Sequence, residues 1–191
     1  MTPRLALNLP LTGRGTRLAL VSLLALVWLS GCSVMHSQQG TTPIELDSQF
    51  AVIPLTNLSQ TPQAGDQAAS ILSALLRARG ASEVELYLPA DENPLAYDNR
   101  ARQQQATAQA LESGADLIVA GTVDEWRYKN GLDGEPAVSI TLEIRDPADS
   151  TVVWSGTAAR TGWGREGLGV AGHKVLQSLI EAAPFTAGSG Q

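Results

Sequence analysis

The hydrophobic positions of this chain follow three rhythms. Leu18 to Leu29 is an almost unbroken apolar run, interrupted only by Ser22. Beyond it, short apolar runs and alternations mark strands, and apolar residues three and four apart mark helices. Phe50-Ala51-Val52-Ile53-Pro54-Leu55 is a run of the buried-strand type. Thr56 to Gly65 reads as a loop and Asp66 as a helix cap. Ala68, Ile71, Leu72, Leu75 and Leu76 then form the stripe of a helix that Gly80 ends. Glu83 to Leu88 alternates, with Val84, Leu86 and Leu88 on one side. After a loop from Pro89 to Asp98, Asn99 to Ser113 predicts a polar helix closed by Gly114. Its apolar face is narrow (Ala101, Ala108, Leu111), which suits a helix covering a sheet edge or meeting a second subunit.

The second half is richer in strands. Asp116 to Tyr128 reads as one long strand, and Lys129 to Gly134 as a hairpin connection. In the returning strand Val138, Ile140, Leu142 and Ile144 alternate with polar neighbours. Asp146 to Ser150 is a turn, and Thr151 to Thr161 a further strand with Val152 and Trp154 on one face. A last helix runs from near Glu166 to Ala183 on Leu168, Ala171, Val175, Leu176, Leu179 and Ile180. The predicted order is βαβαβββα, an α/β domain over residues 49–184 with a mixed sheet packed by helices. Residues 32–48 are polar and predict a flexible tether, and residues 185–191 a frayed tail.

Arg4, Arg14 and Arg17 precede the first apolar run. A basic start before an apolar core of that length predicts a secretory signal over residues 1–31. A comfortable transmembrane helix needs roughly 20 residues. Leu29-Ser30-Gly31-Cys32 follows directly and resembles the lipobox of bacterial lipoproteins. The resemblance implies cleavage before Cys32, a diacylglycerol on its thiol and acylation of the new amine. Ser33 in the next position implies sorting to the outer membrane. The competing reading is an ordinary signal cut at another small residue, with Cys32 a free thiol. Acylation suits the energetics, because each buried methylene contributes ~0.8 kcal/mol and two or more chains anchor stably. It also accounts for a lone cysteine in an oxidising compartment.

Charge sharpens once the leader is set apart. The whole chain has 13 basic and 19 acidic residues, a formal charge of −6. Residues 1–31 hold three of the 13 basic residues and none of the 19 acidic ones, so the chain from Cys32 onward carries −9. Such acidity makes nucleic acid an unsuitable partner. One cysteine and two histidines leave little material for a metal cluster or a His-based triad, and no metal or cofactor is expected.

Catalytic signatures are nearly absent. Gly162-Trp163-Gly164-Arg165-Glu166-Gly167 and Gly167-Leu168-Gly169-Val170-Ala171-Gly172 both match a dinucleotide-binding turn. The fingerprint needs a further strand and an acidic residue about 20 residues on, and Trp163 crowds the pyrophosphate position. Tight turning and close helix packing explain the glycines better. His173 has no acid at helical spacing and no serine lies in Gly-x-Ser-x-Gly. Asp116, Asp124, Glu125, Glu143, Asp146 and Asp149 are abundant carboxylates. Spacing alone cannot set two of them at a glycosidase separation. The chain reads as non-catalytic.

Two features remain. Trp163, between Gly162 and Gly164 with Arg160 and Arg165 nearby, is either a membrane-interface or subunit contact or an indole tucked under the last helix. The acidity is the other: repeated around a ring of subunits, it would set up a strong negative field. Phe50 to Leu55 with Asn57, the element order, and Asp116 to Thr122 running into Ala120-Gly121-Thr122-Val123 resemble a group of envelope lipoproteins. That group includes CsgG, the TolB amino-terminal domain and the PelC family. The loop from Asn57 to Pro62, and Trp154-Ser155-Gly156 leading through Arg160 to Arg165 into the last helix, resemble the PelC family most.

That resemblance implies a ring-forming outer-membrane lipoprotein of Pel exopolysaccharide export, standing on the periplasmic face. Its acidic surface would deliver a cationic polysaccharide toward an outer-membrane barrel protein. It implies Cys32 as the anchor and Trp163 as the membrane-facing indole; Asp116, Asp124, Glu125 and Glu143 are the candidate guiding carboxylates. CsgG-like barrel insertion is not expected, because the hairpin after Tyr128 is short and polar. Two other readings stand beside it: an activator of a peptidoglycan synthase or another secretion assembly, and a hydrolase of envelope glycans.

Overall fold

Strands β3 (Gln49–Val52), β5 (Glu83–Leu86), β6 (Leu117–Tyr128), β7 (Pro136–Arg145) and β8 (Val152–Thr161) build the main sheet. The computed structural model describes residues 33–38, 42–89, 98–129, 134–162 and 166–188, all within a unit that spans Ser33–Gln191. The sheet runs β1-β8-β7-β6-β3-β5, with β1 (Ser33–Gln38) at one edge and the short β4 (Thr56–Asn57) beside β6. β3 lies parallel to both β5 and β6, whereas β6, β7, β8 and β1 are antiparallel. The expected mixed sheet is therefore present.

Helices cover its two faces unequally. α1 (Ala64–Arg79) and α3 (Leu168–Ala182) pack Leu72, Leu76, Leu176 and Leu179 against Val119, Ile140, Leu142 and Trp154 in the larger core. Gly80 stops α1 with φ 109°, a left-handed cap that glycine adopts without steric cost. α2 (Asn99–Glu112) lies on the opposite face, over Ala51, Ile53, Ile118 and Ala120. On that face β7 and β8 carry Ser139, Thr141, Glu143, Ser155 and Thr157, half-buried and polar, and no described helix covers them.

Several expectations change. α2 buries Arg102, Ala106 and Ala110 and turns Ala101, Ala108 and Leu111 outward, the reverse of the predicted apolar face. The alanines let the helix approach the sheet closely, and Arg102 is tolerated inside because Asp66 meets it at 2.7 Å. Asp66 is thus not a cap. It sits in the first turn of a helix whose preceding residue, Gln63, has φ 58° and makes no side-chain cap bond.

The chain ends differ most. Ser33–Gln38 and Ile44–Glu45 (β2), read from their polarity as part of a tether, are strands. β2 pairs in parallel with β9 (Phe185–Thr186), which lies in the stretch expected to fray. Pairing is a backbone matter, so hydropathy does not reveal it. Ile44 N donates to Pro184 O at 3.0 Å, Leu46 N to Thr186 O at 3.0 Å, and Phe185 meets Phe50 edge to face at 6.0 Å. Removing residues 184–191 is expected to expose Ile44 and Phe50 and to lower stability by about 2 kcal/mol in urea titrations.

Candidate functional site

The alternation of β6 breaks once, and the break makes the site. Val123 pairs with Ile140 and Glu125 with Ser139, so Asp124 is the extra residue of a β-bulge. Val123 and Trp126 both reach the large core, three residues apart instead of two. The bulge corrects the phase: it returns Trp126 to the helix side and leaves Asp124 and Glu125 on the uncovered face. Two buried residues at this spacing within a strand are the sequence signal that would have revealed it.

Hydroxyls fix the exposed carboxylate. Thr122 Oγ1 donates to Asp124 Oδ1 at 3.0 Å and Thr141 Oγ1 to Oδ2 at 3.3 Å; Thr141 and Thr157 hydroxyls lie 3.0 Å apart. A row of threonines from three adjacent strands thereby orients one carboxylate. Sequence reasoning missed these threonines, because a polar residue on a strand face ordinarily just meets water. Glu125 stands beside Asp124 and pairs with Arg127 at 2.8 Å.

A notch of about 690 Å³ opens between this bulge and the loop Leu58 to Gln60. The loop is held firmly. Asn57 N donates to Asn99 Oδ1 at 3.2 Å, and Asn99 Nδ2 returns a bond to Asn57 O at 3.1 Å. Asn57 Oδ1 accepts from Ser59 N at 3.0 Å, and the Thr61 hydroxyl donates to Trp126 O. Leu58 is left 63% exposed at the mouth. The notch offers Asp124 and Glu125, the hydroxyls of Ser59 and Ser139, the Gln60 amide and the apolar Leu58 and Trp126, with Arg127 offsetting Glu125, so Asp124 is the carboxylate left to meet a cationic, hydroxyl-rich ligand weakly.

The remaining candidate acids are not gathered there. Glu143 shares the open face but sits opposite Ala120 and pairs with Arg145 at 3.4 Å. Asp116 accepts from Gln49 N at 2.8 Å just before β6 begins. Eight residues of strand, about 26 Å, separate it from Asp124. Among the described residues no group of three or more His, Cys, Asp or Glu could hold a metal ion, and no helix is long and apolar enough to cross a membrane.

A basic cluster closes the end of β8. Glu166 accepts from Lys174 Nζ at 2.7 Å and meets Arg160 Nη2 at 3.4 Å. Arg160 therefore turns toward the start of α3. Lys174's hydrogen bond, followed by the charge of Arg160, outweighs burial and holds the Glu166 carboxyl below its ordinary range. A depressed carboxylate contributes stability above its unfolded pKa, and that contribution disappears as pH falls through the folded value. Glu166→Gln is expected to flatten the acid limb of the stability profile below about pH 5, measured by thermal melts across pH. Ser33 pairs with Arg160, so the described chain begins at this end of the sheet. Cys32, Trp163 and Arg165 lie outside the described residues.

No family model and no curated protein matches the sequence. Solved structures do. A PelC dodecamer from Paraburkholderia phytofirmans (space group P6) is 33% identical, with a TM-score of 0.66, covering 78% of this chain and 95% of its own. A single-residue variant of that dodecamer (space group C2) is 33% identical at a TM-score of 0.69, covering 82% and 99%. One-third identity over nearly the full length of those chains, on the same α/β frame, places this chain in the PelC family.

Proposed function

We propose that the chain is a non-catalytic lipoprotein on the periplasmic face of the outer membrane. Acylated Cys32 anchors it, copies assemble into an acidic ring, and the ring assists export of a cationic exopolysaccharide toward an outer-membrane barrel protein. The observation that carries this reading is the bulge that turns Asp124 and Glu125 together onto an open, hydroxyl-rich sheet face. Membership of a family with dodecameric relatives supports the assembly.

The mechanism is electrostatic and reversible. An exposed ion pair contributes only about 0.2–1 kcal/mol, so one subunit holds a cationic sugar weakly and releases it readily. Repetition around a ring raises the local concentration of positive polymer without trapping it. Hydroxyls bridging Asp124 keep the carboxylate outward and can also bond a sugar that passes. Lipid chains on Cys32 would leave the Arg160 end of the sheet nearest the bilayer, since Ser33 pairs with that residue.

Binding of partially deacetylated chitosan oligomers to the detergent-solubilised protein tests the reading. The Asp124→Asn/Glu125→Gln double variant is expected to weaken binding about fivefold to tenfold with an unchanged circular dichroism spectrum. Added salt should weaken the wild type in the same direction. A strict monomer by native mass spectrometry would falsify the ring.

A further inference from the structure

Threonines stand in register across the sheet face that carries Asp124. Thr56 of β4 lies opposite Thr122 of β6, Thr122 opposite Thr141 of β7, and Thr141 opposite Thr157 of β8. Direct partners share a face at the strand spacing of about 4.8 Å. Asp124, set outward by the bulge, is tied to this row: its Oδ1 accepts from Thr122 and its Oδ2 from Thr141.

The supply of hydrogens gives the row a direction. A hydroxyl has one hydrogen and two lone pairs, and a carboxylate has no hydrogen to give. Thr122 and Thr141 each direct their hydrogen to Asp124. Thr141 has none left for Thr157, so in the 3.0 Å contact between them Thr157 is the donor. All three hydrogens run toward the carboxylate, and the polarity that Asp124 imposes on β6 reaches β8. What these three hydroxyls present to a ligand is lone pairs.

We propose that Thr122, Thr141 and Thr157 are specificity-determining residues that make the row a reader of hydrogen-bond donors, taking primary ammonium groups and discriminating against acetylated ones. An ammonium brings three hydrogens and no lone pair. An acetamide brings one hydrogen and a carbonyl oxygen whose lone pairs would face those of the row. That the ammonium belongs to a polysaccharide rests on the export reading above; the direction of the row rests on its own bonds.

Isothermal titration calorimetry on the full, detergent-solubilised protein tests it with a fully deacetylated chitosan oligomer, the fully acetylated oligomer and spermine. The wild type is expected to prefer the deacetylated oligomer at least ~10-fold, and Thr157→Val to weaken its binding about threefold to tenfold. Thr157→Ser keeps the hydroxyl and should restore the wild-type value. In Asp124→Asn an amide can donate, the direction is no longer imposed, and Thr157→Val should add no further loss. Equal affinity for the two oligomers overturns the proposal. So does a Thr157→Val loss that is absent, that is the same for both oligomers, or that persists in full beside Asp124→Asn; in each case the export reading stands. Spermine bound in a Thr157-dependent way, with neither oligomer taken, keeps the row and removes the polysaccharide. No binding of any probe overturns both.

Discussion

Arg102→Ala is expected to cost the domain about 3–5 kcal/mol, read as a lowered urea midpoint with an unchanged slope. Arg102 is 6% exposed on α2. It meets Asp66 of α1 at 2.7 Å, and its Nη1 donates to Pro89 O at 2.9 Å. Truncation leaves Asp66 charged in a place where water is scarce, because its side chain is only 19% exposed. Desolvating an unmatched carboxylate costs more than the pair contributes. Asp66→Leu with Arg102→Met should recover most of the loss, since apolar groups can replace a buried pair at little net cost. An Arg102→Ala protein within 1 kcal/mol of wild type would sink the account.

Trp126→Ala should destabilise by about 3–5 kcal/mol, the range for emptying a large aromatic site. Trp126 is 1% exposed and reaches the core only because of the bulge at Asp124. Its six-membered ring lies against Gly172 of α3, where an added Cβ would fall 2.1 Å from Cη2 and 2.6 Å from Cζ3. Gly172→Ala must push the indole or the helix aside, at about 1–3 kcal/mol. The two changes should not add. In Trp126→Leu the obstructing ring atoms are gone, so Gly172→Ala there should cost far less than it does alone. Additive losses in the double-mutant cycle would mean that Gly172 is needed for some other reason.

Gly172 also shows what kind of information the sequence carries. The repeated glycine pattern from Gly162 to Gly172 imitates a nucleotide-binding turn, yet its last glycine serves contact with an indole that lies 46 residues earlier. Where a strand or helix has one apolar side, its place was legible. Val138, Ile140, Leu142 and Ile144 are all buried, as are Val175, Leu176, Leu179 and Ile180. α2 was misread because its buried stripe contains an arginine, which only a partner 36 residues away makes acceptable. The strands at the two ends were hidden for a simpler reason: their pairing is carried by backbone groups that every residue type possesses.

The site was legible in part for related reasons. Asp124 and Glu125 stand out as acids on a strand, but their shared face depends on a phase shift marked only by the three-residue spacing of Val123 and Trp126. The threonine row is less visible still, since nothing distinguishes Thr141 from any other threonine on a strand until three strands are aligned. Arg160 could be picked out beside Trp163; its pairing with Glu166 could not be read from spacing.

The pairing of β2 with β9 also bears on the order in which the chain can finish folding. Ile44 is paired with Phe185, 141 residues later, and Ser33 with Arg160. Contacts so distant in sequence form slowly, because a long loop must close before they yield any stabilisation. β1 and β2 stay without these partners until β8 and β9 have been made. A chain led by the proposed secretory signal would thus remain threadable while it crosses a membrane and close once β9 arrives.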